Sequence, residues 1–232
     1  MFNPRLQANY LAKTQDIAGK VGKRVSDTLD GIDATRVSSF AGLQLNEFLL
    51  YHGTPSKIAP LLQKQGLDPQ RAGVHRGKMF GYGAYMATNS SKSDLYTEPT
   101  TLSADPRKKG ERCILVVRAC LGEPFRAART NTQLRLPPDR PAAIGGVAGS
   151  LDSVVGLTRA AGGQLLHPEY IVYKEAQTLP EYAIWYEHGE KCRCTHCSSV
   201  NVVIFDEAAQ VSPATVGKPS HTVPVSDVDR CC

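Results

Sequence analysis

The first apolar pattern along the chain is helical. Residues 2–22 carry Leu6, Tyr10, Leu11, Ile17 and Val21 at roughly that spacing, with Asn3 placed to cap the segment and Pro4 at its first position. Residues 23–45 are polar with scattered apolar positions and no clean period, which predicts a loop or short helix. Residues 46–54, Asn-Glu-Phe-Leu-Leu-Tyr-His-Gly-Thr, form an aromatic and aliphatic run closed by His52-Gly53, the pattern of a buried strand. A short helix is expected over 56–65, ended by Gly66, followed by a polar loop over 67–78. Residues 113–120, Cys-Ile-Leu-Val-Val-Arg-Ala-Cys, predict a central strand, whereas 121–150 are rich in Pro and Gly and read as loops. Two more strand-like runs cover 170–173 and 182–186, with a turn expected around Leu179-Pro180. From Glu207 onward the chain is polar and unpatterned. That divides it into one domain over 1–206 and a flexible tail over 207–232.

Residues 79–96 hold the densest chemistry. Two glycines, Gly81 and Gly83, precede Tyr85 at a strand-like position. The polar cluster Thr88, Asn89, Ser90 and Ser91 then offers helix-start residues, with Ser93 and Tyr96 about a helical turn apart. Glycines let backbone approach a ligand closely or take positive φ. Two phenol rings bracketing a group of amide and hydroxyl donors suit a flat ring that carries a polar amide. The preceding loop adds Arg71, His75, Arg76 and Lys78, cations fit for a phosphate-bearing ligand.

Composition narrows the classes. With 232 residues and 41% hydrophobic content the chain can bury one sizeable core. A net charge of +5 is compatible with an anionic ligand but lacks the dense basic stripe of a dedicated nucleic-acid binder. No apolar run approaches 18 residues, so no membrane-spanning helix or membrane partner is expected. Seven cysteines, an odd number, point to an intracellular, reducing location, nucleus or cytoplasm unresolved. Cys192, Cys194 and Cys197 have ligand-like spacing, leaving zinc and surface thiols both open. Cys231-Cys232 does not form a prenylation box.

Three pieces in order, His52-Gly53-Thr54, then Tyr85 with Ser93 and Tyr96, then His167-Pro168-Glu169-Tyr170-Ile171-Val172-Tyr173, make a constellation. It resembles the catalytic domain of the poly(ADP-ribose) polymerase family, the diphtheria-toxin-like ADP-ribosyltransferases, over roughly residues 2–188. Among its members the motifs are most similar to those of tankyrases. The resemblance implies an α+β fold: two packed antiparallel sheets around an NAD cleft, with short peripheral helices. It implies NAD as substrate, protein acceptors including the enzyme itself, and cleavage of the bond between nicotinamide and ribose.

The resemblance also implies roles. Gly53 backbone groups and Ser93 would hold the carboxamide, Tyr96 and Tyr85 would flank the ring, and His52 would bond a ribose hydroxyl. Glu169 would be the catalytic carboxylate, with His52 and Tyr85 completing the catalytic set and Thr54, Arg71 and Lys92 in the NAD site. The zinc site of tankyrases falls in a loop that here, over 97–110, has no cysteine, so the resemblance does not extend to Cys192, Cys194 and Cys197. A dinucleotide fold is set aside because Gly81-x-Gly83 has no third glycine at the required spacing. A toxin-style arginine modifier would need Arg at 52 and Gln or Glu at 167, where this chain has His52 and His167. Poly-ADP-ribosylation is the expected activity; mono-ADP-ribosylation and a non-catalytic NAD- or ADP-ribose-binding module are the alternatives.

Overall fold

A computed structural model describes residues 3–21, 45–71, 78–98, 110–139, 149–191 and 200–205. The expectations for residues 23–44, for the tail from Glu207 and for the three clustered cysteines fall outside these residues.

Helix α1, Pro4–Val21, starts where the pattern places it. The Asn3 side chain accepts from the Leu6 amide at 3.2 Å, satisfying one of the orphan donors of the first turn. Leu6, Tyr10, Thr14 and Ile17 are buried, while Leu11 lies on the solvent side at 44% exposure. Tyr10 donates to the buried Glu47 carboxylate at 2.5 Å and so fastens α1 to the start of β1, Glu47–Thr54. Helix α2, Ala59–Gln65, carries Pro60 in its first turn, where a missing N–H costs nothing, and ends on Gly66 at φ 91°.

The remaining elements are β2 (Ala84–Met86), α3 (Ser90–Asp94), β3 (Arg112–Cys120), β4 (Pro124–Ala127), β5 (Ser153–Gly156), β6 (Glu169–Val172), β7 (Thr178–Lys191) and β8 (Val200–Phe205). They form two four-stranded sheets, ordered β1-β3-β7-β8 and β2-β6-β5-β4. The α+β architecture with two sheets and few helices stands as expected. One detail is corrected: the second sheet is not wholly antiparallel, because β4 pairs with β5 in parallel. The long connection from 128 to 152 carries the chain back to its starting end, as a parallel pair requires. The loop expected over 121–150 likewise contains β4, a strand of four residues.

The expected turn at Leu179-Pro180 is also corrected. The chain turns one step earlier, in a 3-10 turn over Glu175–Gln177, and Leu179 and Pro180 belong to β7. Pro180 stands opposite Val117, beside the register shift between Val116 and Val117. A residue without an amide hydrogen is tolerated at such an irregularity.

The main core lies between the sheets. Phe48, Leu50, Leu115 and Val117 from the first sheet meet Met86, Val155, Tyr170 and Val172 from the second. A second cluster, Phe80, Val154, Ile171 and Tyr173, covers the other face of the second sheet. The edge strands of the two sheets meet where Tyr51 and Ala87 exchange backbone hydrogen bonds of 2.8 and 2.9 Å. None of the described helices is long and apolar enough to cross a membrane.

Candidate active site

The junction of the two sheets opens into a cavity of about 610 Å³. Its lining includes His52, Gly53 and Thr54 from β1, Tyr85 from β2, Lys92 and Ser93 from α3, Tyr96 just beyond α3, and Glu169 from β6. Three sequence segments, each carrying one of the recognised motifs, thus converge on one space.

Strand β1 supplies two kinds of group. Side chains alternate faces along a strand, and backbone groups alternate edges with the same period. The Tyr51 N–H and C=O face Ala87 rather than β3. Two residues on, the Gly53 N–H and C=O therefore point to the same open edge, toward the cavity. Gly53 has no side chain for a direct steric reason: a Cβ built there would lie 1.8 Å from the Ser93 carbonyl oxygen and 3.2 Å from the Tyr96 Cβ. Helix α3 can sit over this strand only because residue 53 is glycine.

His52 points from the other face. Its Nδ1 lies 2.8 Å from the Tyr85 carbonyl oxygen. A carbonyl only accepts, so Nδ1 carries the hydrogen and the neutral ring presents Nε2 as an acceptor. Burial pulls the imidazole pKa below its usual value, with the Tyr85 carbonyl opposing, and so favours that neutral form.

Tyr85 has a hydroxyl already engaged. It accepts from the Phe80 amide at 2.9 Å and donates to the Gly81 carbonyl at 2.8 Å. Burial pushes its pKa well above the ordinary phenol value, and the nearby Glu169 charge adds to this. The ring, rather than the proton, is what Tyr85 offers. Gly81, at φ 79°, would place a Cβ 2.0 Å from the Leu134 carbonyl, and Gly83 would place one 2.2 Å from Ile171. Their close approach, like that of Gly53 to Ser93, is to the protein's own chain.

Glu169 begins β6 opposite Gly156 and is 6% exposed. It lies on the same face as Ile171, the register partner of Tyr85. Lys92 Nζ is 2.7 Å from Glu169 Oε1, both side chains being largely buried. Asn89 caps α3 by accepting from the Ser91 amide at 2.9 Å, which presents Lys92 and Ser93 to the cavity. The Ser93 hydroxyl donates to the Tyr51 carbonyl at 3.0 Å. Arg71 also lines the cavity but is largely exposed, 3.5 Å from Asp68. His75, Arg76, Cys192, Cys194 and Cys197 lie outside the described residues, among which no metal-ligating group of three occurs.

Lys57, Glu98 and Glu175, not singled out by the sequence, also line the cavity. A further set, Asp94, Arg112, Tyr186 and His188, lies behind α3. Its one legible signal is the i, i+2 spacing of Tyr186 and His188, which puts both on one strand face. The family model of the poly(ADP-ribose) polymerase catalytic domain matches residues 9–188 of the chain.

Proposed function

This chain belongs to the poly(ADP-ribose) polymerase catalytic-domain family, an NAD-dependent ADP-ribosyltransferase family, and from that premise we propose a polymerising transferase acting on protein acceptors. The observation that carries the reading is the convergence of the Gly53 open edge, the Tyr85 ring and the Glu169 carboxylate on one cavity. The motif likeness to tankyrases favours the same reading.

Nicotinamide fits between the Tyr85 and Tyr96 rings. Its carboxamide takes the Gly53 N–H and C=O, and the Ser93 hydroxyl keeps lone pairs for the remaining amide hydrogen. His52 Nε2 accepts from a hydroxyl of the adenosine ribose. Arg71 and Lys92 are the cations nearest in role to the pyrophosphate, although each already faces a carboxylate.

Cleavage breaks the bond between ribose C1 and the pyridinium nitrogen. The electron pair leaves with nicotinamide, which departs neutral, and positive charge develops on the ribose as an oxocarbenium ion. Glu169, bonded to the ribose 2′-hydroxyl, stabilises charge that exists only in the transition state. The logic is that of glycoside cleavage, where a carboxylate beside the sugar supports the same cation. The acceptor oxygen or carboxylate then closes on C1. For chain growth the acceptor is a ribose hydroxyl, and Glu169 takes up its proton.

Cys113 and Cys120 are buried outside any disulfide, which suits a reducing compartment. The test is intact-mass analysis and denaturing electrophoresis after incubation with labelled NAD. A ladder supports polymerisation, a single added unit assigns mono-ADP-ribosylation instead, and no nicotinamide release at millimolar NAD leaves a binding module.

A further inference from the structure

Helix α3 has only five residues, too few to hold its own shape by backbone hydrogen bonds. Yet it and the turn after it supply Lys92, Ser93 and Tyr96 to the cavity. Asn89 fixes the front of the helix. The far end is fixed by a side chain that points away from the cavity.

We propose that Asp94 is a positioning residue for the ring-binding wall, holding the α3 end and Tyr96 against the outer face of the first sheet. Its Oδ1 accepts from the Tyr186 hydroxyl, lies 2.9 Å from His188 Nε2 and stands 3.9 Å from an Arg112 nitrogen. Arg112 and Tyr186 are register partners on neighbouring strands, and His188 follows on the same face. All three partners therefore belong to one rigid ladder.

The following residue pair completes the clasp. Thr97 Oγ1 lies 3.2 Å from Asp94 Oδ1 and 3.1 Å from the Tyr186 hydroxyl. Arg112 donates to the Thr97 carbonyl, and to its hydroxyl at 3.0 Å. Thr97 and Tyr186 are each 3% exposed, so the bond between their hydroxyls forms out of water, where it is stronger. Burial raises the Asp94 pKa, but the hydrogen bonds from Tyr186 and His188 with the Arg112 charge prevail and hold it below the usual carboxylate value. The carboxylate stays charged. Residues 94 and 97 are thus both tied to the sheet, and Tyr96 between them has its backbone held from either side.

This assignment rests on the reading of Ser93 and Tyr96 as facing nicotinamide, and two measurements separate the two ideas. The first is hydrogen–deuterium exchange over residues 89–97 in wild type, Asp94→Ala and Asp94→Asn. The second is nicotinamide affinity by calorimetry, with KM and kcat for NAD and a thermal melt. Asp94→Ala should speed exchange over 89–97 but not over 112–120. It should weaken nicotinamide about tenfold and raise KM to match, with kcat at saturation nearly kept, as for a lost charge-assisted bond. Asp94→Asn still accepts from Tyr186 but cannot pair with Arg112, so it should fall between.

A folded Asp94→Ala with unchanged exchange and affinity overturns the assignment. Should that variant not fold, Asp94→Asn and Tyr186→Phe carry the readout, and wild-type behaviour in both overturns it equally. If wild type itself ignores millimolar nicotinamide, the functional reading falls, while the exchange comparison still decides whether Asp94 holds α3.

Discussion

Gly53→Ala is the sharpest perturbation the site offers, because its effect follows from one distance. The new Cβ would meet the Ser93 carbonyl oxygen at 1.8 Å, and its relief to an ordinary contact near 3.4 Å needs about 1.6 Å of movement. The obstacle is backbone, so no side chain can swing aside. Either α3 lifts from β1 or the edge strand bends. Overpacking of this kind costs about 1–3 kcal/mol of stability. Function should suffer more, since a misplacement of about 1 Å in a positioning group is worth around 10²-fold. The expected result is a folded protein with a modestly lowered melting temperature and about 10²-fold lower kcat/KM for NAD. Nicotinamide affinity should fall with it, because Ser93 and Tyr96 move together. The assays are nicotinamide release, calorimetry with nicotinamide, and a thermal melt. A folded Gly53→Ala with kcat/KM within about threefold of wild type would refute the packing of α3 on Gly53 as the basis of the site.

Three further outcomes test individual roles. Glu169→Gln should lower kcat by about 10²–10³-fold while keeping nicotinamide affinity within a few-fold, as a group acting in the transition state requires; equal loss of both in a folded variant would contradict the role. Tyr96→Ala should weaken nicotinamide by roughly 2- to 12-fold, from a stacking contribution of about 0.5–1.5 kcal/mol, and unaltered calorimetry would remove Tyr96 from the ring wall. His52, with its pKa lowered by burial, binds fewer protons folded than unfolded below about pH 6.5. Its contribution is therefore full above that pH and is lost as pH falls toward the folded value. Urea midpoints at pH 7.5, 6.5 and 5.5 should fall more steeply for wild type than for His52→Gln, and parallel slopes would refute the half-buried neutral imidazole.

The periodic and uninterrupted elements are readable from sequence. Helix α1, β1, α2 and β3 each contain several apolar residues with capping or closing residues beside them, and β6 shows as the unbroken run Tyr170-Ile171-Val172-Tyr173. Strands β4 and β5 are less readable, since four residues carry too little alternation and their pairing direction is set by the distant return of the chain. Leu179-Pro180 misleads because proline punctuates turns more often than it sits at a strand irregularity. In the site, His52, Gly53, Tyr85, Ser93, Tyr96 and Glu169 line one cavity. What the sequence does not show is which groups are already engaged. The Tyr85 hydroxyl is taken by Phe80 and Gly81, and Lys92 by Glu169. Partners 15 and 92 residues away, such as Arg112 for Thr97 and Tyr186 for Asp94 at the end of α3, leave no local mark.

The meeting of β1 with β2 has a consequence for the order in which the protein folds. Its first sheet brings β1 to β3 and β3 to β7, and its second pairs β2 with β6. Among the described residues, the backbone joint between them is the Tyr51–Ala87 exchange, reinforced by the His52 imidazole. Two such non-local assemblies close slowly, and the core between them can be buried only once both exist. The only tryptophan, Trp185, sits in β7 and packs against the core that the two sheets share. In refolding, its fluorescence should recover before nicotinamide binding returns. Simultaneous recovery would mean that the core and the site form as one cooperative unit. A ligand bridging the joint would then act as its missing staple, stabilising the apposed sheets in proportion to the logarithm of its concentration.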